Sequence, residues 1–129
     1  TGKSIIISSG MSSFDELDQV VHYLKSQAAN FSILQCTTAY PTLPHQYGLN
    51  LITQLKEHYN VPVGFSDHSA KTATGIAAVA LGAEILEFAL RFIGIEAMIL
   101  VAKTPFTNVL LFILFIGNSF FIHIEDITI

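Results

Sequence analysis

The amino-acid sequence predicts an α/β fold in which four parallel strands alternate with three helices. Three observations carry that prediction. Short apolar, β-branched runs recur about every 20–30 residues as far as residue 88, the spacing of successive βα units. Amphipathic or small-residue helical patterns fill each interval between them. No long linker interrupts the alternation. With 129 residues the chain is long enough for one ordinary domain, but too short for a complete α/β barrel of about 250.

The first strand is expected at residues 4–8, a β-branched run ended by Ser9-Gly10. Ser13-Phe14-Asp15-Glu16 matches a capping box. Phe14, Leu17, Val20, Val21 and Leu24 then recur at helical spacing, so residues 13–27 read as an amphipathic helix. The second strand covers residues 32–36, and Pro41 and Pro44 break regular structure after it. Leu51, Ile52, Leu55 and Tyr59 share one face of a helix over residues 48–59. Residues 61–66 read as the third strand and the Ala- and Gly-rich residues 70–81 as the third helix, closed by Gly82. Small side chains there let the helix lie close to a sheet. Residues 83–88 read as the fourth strand.

The character of the chain changes near Ala89, which divides it into a 1–88 α/β unit and an apolar tail, 89–129. Residues 104–124 carry no formal charge with His123 neutral, and Val109 to Ile116 is continuously apolar. Length alone permits a membrane span, whereas Pro105, Asn108, Asn118 and Ser119 interrupt it. A membrane anchor, a buried element and a shifted reading frame all remain open for this segment.

Composition narrows the function classes. Hydrophobic residues make up 51% and charged residues 12%, against about 25% charged in ordinary soluble domains. A net charge of −4 supplies no basic patch for nucleic acid. The single cysteine, Cys36, forms no internal disulfide, so a reducing cytoplasm is the expected location. Thr1-Gly2-Lys3 lacks both an initiator Met and the layout of a signal peptide, which suggests a start inside a longer protein.

Chemistry-bearing residues gather where the predicted strands end, the place at which parallel α/β folds build their sites. Ser8-Ser9-Gly10-Met11 offers N–H groups and hydroxyls to an anion, although serine and glycine before a helix more often form a plain turn and cap. Cys36-Thr37-Thr38-Ala39-Tyr40-Pro41 combines hydroxyls with an aromatic ring. Cys36 has no base or cation near it in sequence and reads as a buried structural thiol. Ser66-Asp67-His68 is more specific. His68 offers a nitrogen to a metal or proton, and Asp67 could fix its ring; a capping Asp beside a hydrogen-bonded His is the level alternative. Glu87 falls near the end of the fourth strand. The glycine fingerprint of nucleotide sites, Gly-x-Ser-x-Gly and paired zinc-type cysteines are all absent from the sequence.

Four ordered segments resemble the sialic acid synthase family: Ile5-Ile6-Ile7-Ser8-Ser9-Gly10-Met11-Ser12, Leu34-Gln35-Cys36-Thr37-Thr38-Ala39-Tyr40-Pro41-Thr42, Val61-Pro62-Val63-Gly64-Phe65-Ser66-Asp67-His68 and Ala78-Val79-Ala80-Leu81-Gly82-Ala83-Glu84-Ile85-Leu86-Glu87. That family includes N-acetylneuraminate, legionaminate and pseudaminate synthases and spore-coat polysaccharide proteins. The resemblance implies a partial (β/α)8 TIM barrel, about its last four strands, followed by a non-matching tail. It implies condensation of phosphoenolpyruvate with an N-acetylated amino sugar to a nine-carbon 2-keto-3-deoxy sugar acid, a divalent metal (Mn²⁺ or Mg²⁺), and a homodimeric family assembly. By the same resemblance His68 matches a metal ligand. Ser8 and Ser66 match hydroxyls near phosphoenolpyruvate, Thr38 and Tyr40 a loop touching both substrates, and Glu87 the acidic residue of the last strand.

Two departures stand beside it. The family's second metal-binding His, two positions beyond that Glu, is Ala89 here. Lys3, Lys25, Lys56 and Lys71 do not match the lysines that hold phosphoenolpyruvate, which belong to the earlier half of the barrel. The resemblance therefore implies a chain without appreciable turnover by itself. A non-catalytic accessory or scaffold fragment, or a protein anchored through residues 104–124, are the alternatives.

Overall fold

The computed structural model describes residues 3–92, 95–102, 111–116 and 121–122. Strands β1 (Ile5–Ser8), β2 (Phe31–Cys36), β3 (Val63–Asp67) and β4 (Ile85–Phe92) run parallel in that order. Helices α1 (Phe14–Ser26), α2 (Asn50–Tyr59) and α3 (Thr72–Ala80) fill the three connections. Together they form a curled half-barrel, part of the TIM-barrel architecture that the sequence predicts. Beyond β4 the sheet continues antiparallel through β5 (Ile95–Ala102), β6 (Leu111–Ile116) and β7 (Phe121–Ile122).

The pleat sorts the side chains. Phe31, Ile33, Val63 and Phe65 join Leu17, Val21, Ile52, Leu55 and Ala78 in one core between the sheet and its helices. Ile33, Ile52 and Val63 are wholly buried, each contributing about 1.5–3 kcal/mol of transfer free energy. The alternate residues, Ile6, Ser8, Leu34, Cys36, Gly64, Ser66, Ile85 and Glu87, take the concave inner face. Gly64 marks the tightest point of that face. A Cβ there would lie 2.5 Å from the Ile85 carbonyl oxygen and 2.5 Å from Leu34 Cδ2. On the helix side Gly75 plays the matching part, because the Phe88 ring fills the place of its missing Cβ. The small-residue α3 thus lies close to β4, as its composition predicts.

Local signals set the helix ends. The Ser13 hydroxyl accepts from the Glu16 N–H, and the Glu16 carboxylate accepts from the Ser13 N–H at 2.8 Å, completing the capping box. Those hydrogen bonds hold the Glu16 carboxyl below its ordinary value. Asn60 closes α2 in the left-handed region (φ 52°), and Gly82 follows α3 at φ 95°.

Helices α1 and α2 are clasped at their outer surface. Tyr59 Oη donates to Asp18 Oδ1 at 2.9 Å, His58 Nε2 lies 3.2 Å from the same oxygen, and Lys25 Nζ donates to the Tyr59 carbonyl at 2.7 Å. The Tyr59 and then the His58 hydrogen bond hold the Asp18 carboxyl below its usual range. Burial and the Asp18 hydrogen bond push the Tyr59 phenol up to about 12. A lowered carboxyl value stabilises the fold above the unfolded-state value and loses that contribution as pH falls through the folded one; the raised phenol value works oppositely and matters only in strong base. Wild type and Tyr59→Phe are therefore expected to differ in urea midpoint at neutral pH and to converge as pH falls through the carboxylate range. A constant difference across that range would contradict the clasp.

Two features differ from the sequence reading. The fourth strand does not stop at residue 88. It runs to Phe92 because β5 pairs along its whole length, from Phe92↔Ile95 to Ile85↔Ala102. Within 104–124, residues 111–116 and 121–122 are strand, and the rest lies outside the described residues. Among the described residues no helix is long and apolar enough to cross a membrane.

Candidate active site

The C-terminal ends of β1–β4 bring the predicted residues onto one surface in two adjoining rows. Across the inner face Ser8 is level with Leu34, and Leu34 with Gly64. One layer higher Cys36 is level with Ser66, and Ser66 with Glu87. Above β1 and β2, Thr38 Oγ1, Cys36 Sγ and Ser8 Oγ lie 2.8, 3.2 and 3.4 Å from where a Gly10 Cβ would stand. Gly10 is therefore required for the three to converge, and its N–H donates to Ser8 Oγ at 3.2 Å. Cys36 is half-buried rather than enclosed, because it faces this concave side and not the helix core.

His68 is the centre of the second cluster. Its Nδ1 lies 3.1 Å from the Thr37 carbonyl oxygen. A carbonyl only accepts, so Nδ1 carries the proton and Nε2 presents its lone pair. Nε2 is met by Tyr40 Oη at 3.0 Å and Ser66 Oγ at 3.1 Å. The Tyr40 ring stacks on the imidazole, with centroids 4.1 Å apart and planes 20° from parallel. Ser66 and His68 are 3% and 7% exposed while Tyr40 is 66% exposed, so the aromatic ring forms the open side of a buried polar pair. The Tyr40-Pro41 peptide is cis. The Thr42 N–H donates to the His68 carbonyl at 3.1 Å, which ties this loop to the end of β3.

Of its two sequence readings, Asp67 takes the capping one. It points to the helix side, where Oδ1 accepts from the Ser69 N–H at 2.7 Å and Oδ2 is buried without a partner among the described residues. The group that fixes the His68 tautomer is the main-chain carbonyl of Thr37. Side-chain identity carries no signal for it, and sequence reasoning had no means of finding it. A cavity of about 390 Å3, lined by Ser9, Ser12, Gln35, Cys36, Thr38 and Leu55 among others, adjoins the first cluster at the end of β2. Its polar wall is tied by the Ser9 hydroxyl, which donates to Gln35 Oε1 at 3.1 Å.

A model of the NeuB family matches residues 1–92. The chain belongs to the NeuB family. It is 42% identical over 87 residues to human N-acetylneuraminate-9-phosphate synthase, covering 67% of this chain and 24% of that one. It is 36% identical over 88 residues to N,N'-diacetyllegionaminic acid synthase of Campylobacter jejuni, covering 66% and 26%. Among solved structures, N-acetylneuraminic acid synthetase from Leptospira borgpetersenii, crystallised with citrate, superposes with a TM-score of 0.65 at 35% identity, covering 68% of this chain and 31% of that one. The chain thus spans about a quarter of the length of these curated relatives. The matched part is the half-barrel that carries Ser8, Thr38, Tyr40, Ser66, His68 and Glu87.

The family resemblance implies a divalent metal, and two side chains here are of the right chemistry for one. His68 Nε2 is a suitable neutral nitrogen, and Glu87 one strand away is a suitable carboxylate. Among the described residues no group of three His, Cys, Asp or Glu side chains converges. Ser66 pairs with Glu87 and Asp67 with Phe88, the last pair between β3 and β4, and the residue that follows Phe88 along β4 stands where the family resemblance implies a second imidazole. That position is Ala89. Among the described residues, His68 and Glu87 do not complete a metal site.

Proposed function

We propose that this half-barrel carries one wall of a synthase site that joins phosphoenolpyruvate to the aldehyde of an N-acetylated amino sugar, giving a nine-carbon 2-keto-3-deoxy sugar acid. The convergence of Tyr40 Oη, Ser66 Oγ and His68 Nε2 at the strand ends is the observation that supports this reading most. In it, the Ser8 and Ser66 hydroxyls donate to the phosphate and carboxylate oxygens of phosphoenolpyruvate. Thr38 and Tyr40 line the opening between the two substrates, and the exposed Tyr40 ring shields the reacting carbons from bulk water. Glu87 accepts a proton from the water that attacks the pyruvyl carbon. The enol carbon forms the new bond to the sugar aldehyde, whose oxygen takes up the proton that Glu87 accepted; the pyruvyl C–O bond then breaks, and phosphate leaves with the remaining hydroxyl proton as the ketone forms.

The wall is incomplete in this chain. Ala89 supplies no second imidazole, and Lys3, Lys25, Lys56 and Lys71 are not the cations that such a phosphate needs. No step is therefore assigned to a metal, and the 129-residue chain is expected to have negligible turnover by itself. With one free cysteine, it is suited to a reducing cytoplasm. Incubation with phosphoenolpyruvate, Mn²⁺ and N-acetylmannosamine, with released phosphate and sugar acid both measured, is expected to give no product above the protein-free control. Product formation that tracks enzyme concentration would overturn the inactivity and leave the substrate assignment standing.

A further inference from the structure

The cavity at the end of β2 is graded from an exposed mouth to a buried floor. Met11, Ser12 and Thr38 stand open to solvent at the mouth, while Leu17, Gln35 and Leu55 are 5%, 3% and 2% exposed at the floor. Every lining residue lies between Ser9 and Leu55. The volume of about 390 Å3 is that of a small-molecule site, and so is the mixture of apolar walls with a few placed polar groups. Leu17 and Leu55 belong to the core between the sheet and its helices. The floor is therefore set apart from the inner face that carries Ser66 and Glu87.

The hydrogen bonding of Gln35 is half complete. Ser9 Oγ accepts from the Cys36 N–H at 3.1 Å, and its one proton goes to Gln35 Oε1, also at 3.1 Å. That settles which end of the carboxamide is the oxygen. Gln35 Nε2 then offers two N–H groups, and among the described residues neither has a partner. Gly48 makes room for this nitrogen, since a Cβ there would stand 2.6 Å from it. A buried donor of this kind calls for an acceptor. Charge selects which. Among the described residues no Lys, Arg or His lines the cavity. The N-terminus of α1 is already taken by the Glu16 carboxylate, which accepts from the Ser13 N–H and hydroxyl. The Gly10 and Ser12 N–H groups are likewise spent, on Ser8 Oγ and the Ser9 carbonyl. An anion here would meet a carboxylate and no counter-charge. We propose that the cavity binds a small uncharged molecule with a carbonyl oxygen on a hydrocarbon body. The carbonyl accepts from Gln35 Nε2, and the hydrocarbon packs on Leu17, Leu51 and Leu55. This site is additional to the proposed synthase wall and does not rest on it.

The test titrates the full 129-residue chain with hexanamide, and in parallel with hexanoate as its charged counterpart. NMR of the Gln35 side-chain amide and the Met11 methyl group follows binding. Hexanamide is expected to shift both signals saturably, and hexanoate to bind at least roughly tenfold more weakly. Gln35→Glu keeps an acceptor for Ser9 but puts a carboxylate oxygen where the donor stood. It is expected to weaken hexanamide binding at least roughly tenfold, read on Met11. Leu51→Phe fills the cavity from a half-buried position and should do the same; it carries the test if Gln35→Glu does not fold. Shifts that stay linear to the solubility limit, equal binding of the two probes, or binding that neither substitution weakens would overturn the proposal. No readout involves phosphoenolpyruvate or the amino sugar, so either reading can fail without the other.

Discussion

Gly64→Ala is expected to lower the unfolding free energy by about 3 kcal/mol or more, toward the upper end of the cost of overfilling a packed core. The added methyl group meets the Ile85 carbonyl oxygen and Leu34 Cδ2 at 2.5 Å and Ile85 Cβ at 2.7 Å. The carbonyl belongs to the backbone of a paired strand, so the clash cannot be relieved by turning a side chain. It is relieved only by parting β3 from β4, and that same pairing sets Ser66 level with Glu87. Urea unfolding of the two proteins side by side measures the effect. An unchanged midpoint would mean that the two strands lie farther apart than described.

Ala89→His is the complementary experiment, because it adds a donor instead of disturbing the frame. Ala89 follows Phe88, which pairs with Asp67, and His68 follows Asp67 with its Nε2 lone pair toward Tyr40 and Ser66. A second imidazole is expected to strengthen Mn²⁺ binding at least roughly tenfold, since neutral imidazoles suit divalent ions and a lone one holds them poorly. Water-proton relaxation during a Mn²⁺ titration reads the affinity without reference to turnover. The double variant His68→Ala, Ala89→His should lose the gain. Equal affinity in wild type and Ala89→His would separate position 89 from any metal-binding role.

Much of this was legible from the chain alone, for identifiable reasons. The capping box at Ser13 and Glu16 and the glycine after α3 are local signals, and local hydrogen bonds realise them. The four strands were found because β-branched runs at βα spacing have few other uses. Boundaries were less legible: the fourth strand runs on to Phe92 because of its pairing with β5, which is set by a distant segment. In the candidate site the convergence of Tyr40, Ser66 and His68 follows from placing strand ends side by side. The orientation of His68 does not. By sequence Asp67 could either fix the ring or cap the turn; the pleat turns it to the helix side, where it caps, and leaves the ring to the Thr37 carbonyl. The exposure of Ile5 and Ile6 was likewise hidden, since an Ile-rich strand reads as buried until its neighbours are known.

The account turns on His68 Nε2 as an acceptor nitrogen facing Tyr40 and Ser66. Nitrogen-15 NMR of the imidazole at neutral pH measures this directly. The predicted result is a protonated, pyrrole-type Nδ1 and an unprotonated, pyridine-type Nε2, with only the latter broadened when Mn²⁺ is added to Ala89→His. A protonated Nε2 with a free Nδ1 would contradict the site as described, because the unprotonated nitrogen would then face the Thr37 carbonyl instead of Tyr40 and Ser66.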